Sequence, residues 1–288
     1  MRKIIILALI GLAAQMIDGS LGMAYGVTST TLLLWYGLSP ALASASVHLA
    51  EVVTSAASGY SHFKFGNVDS RIVKKLIIPG SIGAFAGAAL LSSLPADLMK
   101  PYISIFLLLL GLYVILRFVF IKTKAAAEVN KEGTAPTSRK WYTPLGFIAG
   151  LMDATGGGGW GPITTPVLLS QKGMLPHKVI GSVNLSEFAV SLSASIGFFL
   201  FIGLDSLHWQ IVVFMMIGGV IAAPIAAYLV KRLRTELLGV LAGGLIVLTN
   251  TRTVLKELFD LSISDLRILI PLLFVWALLI IKVLWKRG

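Results

Sequence analysis

Two stretches of this chain decide its architecture: MIDGSLGMAYGVTSTTLLL at residues 16–34 and LMDATGGGGWGPITTPVLL at residues 151–169. Each leaves an apolar run, reaches an aspartate, passes through several glycines and enters a second apolar run. With Asp18 set over Asp153, the two stretches align without a gap. After a one-residue insertion, SVHLAEVVTSAASG at 46–59 lies over SVNLSEFAVSLSAS at 182–195. The sequence therefore predicts an internal repeat that covers about residues 4–120 and 142–255.

The composition places this repeat in a lipid bilayer. Of the 288 residues, 56% are hydrophobic even without glycine, 13% are charged, and the mean hydropathy is +0.88. Soluble domains are about 45–50% apolar with glycine included and about 25% charged. A soluble enzyme, a disordered chain and a coiled coil are thereby excluded. The net charge of +11 comes from basic residues between apolar runs, where cytoplasmic loops are expected, so it does not predict a nucleic-acid partner.

Seven uninterrupted apolar runs are candidates for membrane spans of about 20 residues. They occupy residues 40–61, 72–94, 102–121, 176–201, 209–230, 236–250 with a short continuation, and 266–285. Two further segments, 4–36 and 144–170, are broken by their aspartate and glycines. A cleavable signal peptide is an alternative interpretation of the N-terminus. The second broken segment instead favours a unit that occurs twice.

The distribution of Lys and Arg favours broken segments that enter the membrane and return on the same side. With re-entrant segments, 18 Lys and Arg residues lie inside and 6 outside, against 15 and 9 if every segment crosses. We therefore predict an all-α polytopic integral membrane protein built from two inverted repeats, with the N-terminus outside and the C-terminus in the cytoplasm. Each repeat starts with a broken, re-entrant glycine-rich segment. The predicted divisions are a first repeat at 1–121, a basic cytoplasmic loop at 122–141, a second repeat at 142–255 and one extra C-terminal transmembrane helix at 256–288.

The arm lengths predict where the glycines lie. The 12 residues from Ile4 to Gln15 would span about 18 Å as a helix. That length is about half of a ~30 Å hydrocarbon core, so the glycine tips should lie near the midplane. Asp18 and Asp153 should then end the first arms, and new helices should begin near Thr28 and Thr164.

Polar side chains follow one face of two predicted helices, because they recur at intervals of three and four residues. The first face carries Ser44, His48, Glu51, Ser55 and Ser58, and the second carries Asn184, Glu187, Ser191 and Ser195. A charge at the bilayer centre is costly and usually functional. The alternative is that each glutamic acid is neutral and hydrogen-bonded between helices, or that it caps a broken helix.

Broken backbone in the membrane, together with this polar layer, favours a small anion as ligand. Such backbone is tolerated only where it is buried in protein or lines a cavity, and a helix N-terminus favours negative charge. No Lys or Arg lies in this middle layer, so hydroxyls would have to help hold the anion: Ser20, Thr28, Ser46, Thr155 and Ser182. Trp160, opposite Tyr25, would wall the cavity.

Protons are the predicted coupling partner. Protonation of Glu51, Glu187 or His48 would relieve the repulsion between an anion and these side chains. Asp18 and Asp153 either take part in the same proton coupling or act as structural caps of the broken helices. The tip glycines have the alternative role of allowing tight helix crossing, which is the favoured interpretation for Gly83 and Gly87.

Other chemistry is not predicted. His48-x-x-Glu51 has metal-ligand spacing, but the pair stands alone and Asn184 replaces the histidine in the second copy. We predict no metal and no other cofactor. No catalytic set is visible, so an enzyme is not predicted, although a membrane-embedded enzyme stays the least favoured alternative.

The two copies resemble the TauE/SafE sulfite exporter family, also called the sulfonate uptake permeases, over nearly the whole chain. GLMDATGGGGWGPITTPVLL at 150–169 is similar to the glycine-rich signature of that family, whereas the first copy has fewer glycines and Thr31 in place of Pro166.

The resemblance implies secondary transport of small sulfur-containing anions, sulfite or organosulfonates, across the bacterial inner membrane, often outward. It also implies a site at Gly22, Gly26, Gly157, Gly158, Ser46, His48, Ser182 and Asn184, with the glutamates beside it. A passive anion channel and a transporter of another small carboxylate or sulfonate are the alternatives. The predicted partners are thus a small anion, protons and the lipid bilayer.

Overall fold

The chain is all-helical, as the sequence predicts. The computed structural model describes residues 2–120, 141–169, 171, 174–230, 235–259 and 266–285, which form eleven α-helices and no β-strand. The predicted basic loop at 122–141 lies outside the described residues apart from Trp141.

The helices fall into two sets of five, followed by one more. The first set is α1 (Arg2–Leu21), α2 (Tyr25–Tyr36), α3 (Pro40–Lys64), α4 (Ser70–Ser93) and α5 (Ala96–Phe120). The second set is α6 (Tyr142–Gly156), α7 (Trp160–Leu169), α8 (Pro176–Ile202), α9 (Trp209–Leu229) and α10 (Thr235–Phe259). The last helix is α11 (Leu266–Trp285). The predicted division at 255/256 thus falls inside α10.

Five helices are long and apolar enough to cross a membrane by length and composition: α4, α5, α8, α9 and α10. Helices α1 and α11 contain shorter apolar stretches. The predicted span at 40–61 is not in this group, because the polar face of α3 lowers its hydropathy. With 25 residues, α3 is nevertheless about 37 Å long. Its polar face is buried inside the protein, so α3 is a central helix of the fold.

Packing alternates between the two sets. Helix α1 packs against α9, and α6 packs against α4. In the same way α3 contacts α9, and α8 contacts α4. Two further contacts join helices that hold the same position in each set, α3 with α8 and α5 with α10. A Cβ added at Gly83 would meet the carbonyl group of Phe147, and one at Gly87 would meet that of Leu151. Tight packing is thus confirmed as a role of Gly83 and Gly87, and it occurs within one chain.

Both predicted breaks exist, but each comes later than expected. Helix α1 continues through Asp18 to Leu21, and its 20 residues extend about 30 Å, so the predicted 12-residue arm was too short. Asp153 likewise lies inside α6. The next helices begin earlier than expected, at Tyr25 and Trp160. Gly19 stays helical because it packs on Ala226, where an added Cβ would lie 2.6 Å from the alanine Cβ.

Candidate substrate site at the two helix breaks

The two breaks lie against each other in the protein interior. A Cβ added at Gly26 would lie 2.7 Å from the Cα of Gly158, and one at Gly158 would collide with the backbone nitrogen of Val27. At Gly161 an added Cβ would lie 2.5 Å from the Cα of Met23. Such distances leave no room for a side chain, so these glycines are required by close backbone approach.

Reciprocal hydrogen bonds join the breaks. The Thr30 hydroxyl donates to the carbonyl oxygen of Gly157, and the Thr165 hydroxyl donates to that of Gly22 at 2.5 Å. In the alignment that sets Asp18 over Asp153, Thr30 lies over Thr165 and Gly22 over Gly157. Gly22 and Gly157 also share a positive φ, +68° and +67°, which glycine adopts without strain. Each break therefore receives a hydrogen bond on a helix-terminal carbonyl that would otherwise lack an intrahelical partner.

Asp153 caps the helix that follows its own break. Its Oδ1 accepts hydrogen bonds from the backbone N–H groups of Gly159 at 2.7 Å and Trp160 at 2.9 Å. Asp18 lies near the backbone N–H of Tyr25 at the start of α2. The alternative of a structural cap is thereby confirmed for Asp153. The expectation that these first N–H groups of α7 are free for an anion is wrong, because a carboxylate of the protein already occupies them.

His48 contacts the second oxygen of the same aspartate. Its Nε2 lies 3.1 Å from Asp153 Oδ2, and its Nδ1 lies 2.8 Å from the carbonyl oxygen of Ser44. A carbonyl only accepts hydrogen bonds, so Nδ1 carries the hydrogen in that contact. The contact between Nε2 and Oδ2 then requires one further proton, which the two side chains share.

One ligand atom each from His48, Glu51 and Asp153 lies within 4.8 Å of the others, which is close enough to hold a metal ion. Sequence reasoning paired only His48 and Glu51, because Asp153 comes from the other half of the chain. Both oxygens of Asp153 already accept hydrogen bonds from the protein. The absence of a metal stays a prediction.

Glu51 is buried between the two halves. Its Oε2 accepts a hydrogen bond from Ser191 at 3.3 Å, whereas its Oε1 has no hydrogen-bond partner among the described residues. Oε1 lies beside the first turn of α2, since a Cβ added at Gly26 would be 3.1 Å from it. Glu51 therefore presents one satisfied and one unsatisfied oxygen at the meeting point of the breaks.

Carboxylates dominate the charge of this region. The principal charged groups acting on Glu187 are Asp18, Glu51 and Asp153, in that order. For Asp18 the principal charged group is Asp153, and for Glu51 these groups are His48, Asp153 and Asp18. No Lys or Arg is among them, as the sequence predicts for the middle layer. The site therefore holds four acidic side chains and one histidine.

Buried polar atoms without a partner gather around the breaks. Buried polar groups are normally hydrogen-bonded, so a concentration of exceptions marks a place for water or a solute. In the described part of the chain these exceptions include Gln15 Nε2, Ser20 Oγ, Tyr25 Oη, Thr28 Oγ1, Ser29 Oγ, Ser46 Oγ and Thr54 Oγ1. The predicted substrate hydroxyls of Ser20, Thr28 and Ser46 thus lack partners in the fold itself.

Other predicted site residues have structural contacts. Asn184 Oδ1 accepts from Ser58 at 2.7 Å, and its Nδ2 donates to a carbonyl of its own helix. Ser182 accepts from the backbone N–H of Asp69 in the α3–α4 connection, and Thr155 donates within α6. The indole N–H of Trp160 donates to Val183 at 3.2 Å. Their role in binding substrate stays a prediction.

Comparison with known proteins gives a family and two relatives for this chain. The family model described as sulfite exporter TauE/SafE matches residues 7–253. The chain belongs to the TauE/SafE family. It is 56% identical over all 288 residues to the probable membrane transporter protein YtnM of Bacillus subtilis strain 168, of which the match covers 95%. It is 28% identical over 200 residues, 69% of this chain, to the probable membrane transporter protein YdhB of the same organism, of which the match covers 78%. No solved structure gives a significant match.

Membership of the TauE/SafE family makes this chain a multi-pass membrane transporter, not an enzyme, and is consistent with a place in the cell membrane. A transporter implies a small-molecule substrate and a surrounding bilayer. The family match includes both breaks and the polar faces of α3 and α8, so the residues of the candidate site all lie within it.

Sequence reasoning missed several members of this TauE/SafE site. Thr30 and Thr165 bridge the breaks, and Tyr25 and Thr54 carry unpartnered hydroxyls. The threonine pair was detectable, because TT at 30–31 and TT at 164–165 lie in the same repeated stretch. No sequence signal distinguishes the hydroxyls of Tyr25 and Thr54 from ordinary buried ones.

A separate groove of about 580 Å³ runs between α1, α2 and the start of α9. Its lining is mainly apolar and includes Trp35, Tyr36 and Trp209. Aromatic side chains of this kind are enriched where a membrane protein meets the lipid interface. The groove lacks the carboxylates and hydroxyls of the candidate site.

Proposed function

We propose that this protein is a secondary transporter of small sulfur-containing anions, sulfite or organosulfonates, and that it exports them across the bacterial inner membrane. The observation that carries the proposal is the meeting of two broken helices, one from each half, beside buried hydroxyls that have no partner. Broken helices that meet between repeats are typical of substrate sites in secondary transporters. The family description, sulfite exporter, supports the anion class.

Alternating access would follow from an inverted relation between the halves. The reciprocal hydrogen bonds from Thr30 to Gly157 and from Thr165 to Gly22 support a two-fold axis that relates the two halves and passes through the point where the breaks touch. In this arrangement each broken segment is re-entrant and the axis lies in the membrane plane. The N-terminus is then outside and the C-terminus is cytoplasmic.

Proton uptake would let an anion enter this acidic region. An anion beside Asp18, Glu51, Asp153 and Glu187 meets repulsion from each ionised carboxylate, and the interior strengthens that repulsion relative to water. Proton uptake by these side chains removes it. Because Asp153 already caps α7, the anion binds through hydroxyls rather than through the first N–H groups of that helix.

The test is flux in liposomes containing the purified protein. Labelled sulfite should move with saturable kinetics, and unlabelled sulfonates should compete with it. An imposed pH gradient should change the rate in the wild type and should change it less in Glu187→Gln and Glu51→Gln. Asp205→Asn, which removes an exposed carboxylate in the α8–α9 connection, is the matched control and should behave as wild type.

Two results would contradict the proposal. The transport of sulfur-containing anions is wrong if neither sulfite nor any sulfonate moves faster than in protein-free liposomes. The proton coupling is wrong if the pH gradient acts on both glutamine variants as strongly as on the wild type.

A further inference from the structure

The candidate site holds more carboxyl groups than cationic side chains. His48 is paired with Asp153 at 3.1 Å, which accounts for one of the four carboxylates. Asp18, Glu51 and Glu187 have no Lys or Arg among the principal charged groups that act on them, and for Glu51 the one cationic neighbour among these groups is the shared His48. A purely anionic solute adds negative charge here, whereas a solute with a positive group removes part of the imbalance.

Glu51 offers the most specific place for such a group. Its side chain is 2% exposed, and Oε2 is held by Ser191 while Oε1 is unpartnered. An unpaired acceptor oxygen in the interior is costly unless a donor reaches it. The free oxygen faces the first turn of α2, where Gly26 has no side chain that would block it.

Two more unpartnered oxygens belong to side chains that surround Glu51. Thr54 Oγ1 lies one helical turn further along α3, and Tyr25 Oη comes from the first residue of α2. The Tyr25 hydroxyl lies near both the Thr54 side chain and Glu51, without a hydrogen bond to either. Tyr25 is 1% exposed and Thr54 is fully buried. The three oxygens, Glu51 Oε1, Tyr25 Oη and Thr54 Oγ1, therefore belong to neighbouring buried side chains beside the break between α1 and α2.

This set matches a primary ammonium group. An ammonium has three N–H donors and no acceptor, and it forms its strongest hydrogen bonds with a carboxylate. One carboxylate oxygen and two hydroxyl oxygens supply three acceptors. A hydroxyl or methyl group in the same place would leave Glu51 with no cationic neighbour other than His48, which is already paired with Asp153.

We propose that the preferred substrate is a zwitterion, a small sulfonate with a primary amino group, whose ammonium binds Glu51 Oε1, Tyr25 Oη and Thr54 Oγ1. This inference rests on the proposed function and names the substrate of that site. The substrate supplies a positive charge that the site lacks. Glu51 is ionised while it holds the ammonium and takes up a proton once the ammonium has left, so it keeps its place in the proposed coupling. The sulfonate end then faces the hydroxyls of the broken segments.

A matched pair of sulfonates tests the inference in proteoliposomes at fixed pH. 2-Aminoethanesulfonate and 2-hydroxyethanesulfonate differ only in the group that would meet Glu51. For the wild type we expect the KM of the amino compound to be about tenfold lower, since a charge-assisted bond replaces a neutral one. In Glu51→Gln the two KM values should agree within about twofold, because the amide has no charge for the ammonium. Tyr25→Phe and Thr54→Val should also reduce the difference in KM between the two sulfonates.

An exposed carboxylate far from the candidate site provides the control for this test. Asp205→Asn should keep the full preference for the amino compound. Equal KM values for both sulfonates in the wild type, or an unchanged preference in Glu51→Gln, would overturn the inference while leaving anion transport intact. Thr54→Val, which keeps the size of the side chain, decides the matter if Glu51→Gln does not fold: an unchanged preference there also overturns it. A failure of every sulfonate and of sulfite to move would instead overturn the proposed function.

Discussion

Asp153 connects the two halves of the site through its two oxygens. One oxygen caps α7, and the other contacts His48 on α3. The aligned position to His48 is Asn184, whose side chain contacts Ser58 instead. The two halves are therefore unequal in chemistry although their backbones are similarly arranged, and the histidine–aspartate pair belongs to one of them.

Replacement of Asp153 separates the capping role from the charged role. Asp153→Ala should lower the free energy of unfolding by about 1–2 kcal/mol, since a lost N-cap leaves donors at the helix start unsatisfied. Asp153→Asn keeps a carbonyl oxygen that accepts from the N–H groups of Gly159 and Trp160, so stability should change little. Hydrogen exchange at these two amides is the measurement, and it should become faster in the alanine variant only. Equal exchange in both variants would show that the carboxylate does not act as a cap.

At this scale the sequence predicts which residues gather but not how they are used. Hydropathy, residue spacing and the repeat predict that His48, Glu51, Asp18, Asp153 and Glu187 lie in one layer. The same reasoning assumed that helix N-termini were available to an anion. Whether an N–H is free depends on a neighbouring side chain's position in three dimensions, and Asp153 reaches the start of α7 from only six residues before Gly159.

Among the elements, the breaks were predictable and their boundaries were not. Asp18 and Gly19 have weak helix propensity, which predicts an early end to α1. Packing overrides that preference, because Gly19 lies on Ala226 and α1 runs along α9. Helix α2 then begins at Tyr25, with Ala24 at φ +97° in the connection.

The predicted orientation of the elements can be tested with single cysteines, since the natural chain has none. Re-entrant broken segments place Asp205, between α8 and α9, outside the cell, whereas segments that cross the membrane place it inside. Asp205→Cys should therefore react with a membrane-impermeant maleimide added to intact cells. Both arrangements place Gly66 inside and Ser93 outside, so Gly66→Cys and Ser93→Cys are the matched references. Labelling of Asp205→Cys only after the cells are opened would contradict the re-entrant arrangement.

Across the whole molecule, the repeat read from the sequence matches the pairing of helices. Setting Asp18 over Asp153 also sets α1 over α6 and α4 over α9, and these helices pack as α1 with α9 and α6 with α4. The alignment could not show that the breaks would touch, because that contact depends on how the two halves dock. The contact is what brings Glu51 of one half to Ser191 of the other.

We propose above that a small sulfur-containing anion binds where the two helix breaks meet and crosses the membrane by alternating access. The most direct measurement is exchange in proteoliposomes that hold a high concentration of unlabelled sulfite and receive a trace of labelled sulfite outside. Alternating access predicts that labelled sulfite accumulates transiently above its outside concentration, and that external unlabelled sulfite saturates the exchange. Equilibration without any overshoot, at a rate linear in concentration, would contradict the claim and indicate a passive channel.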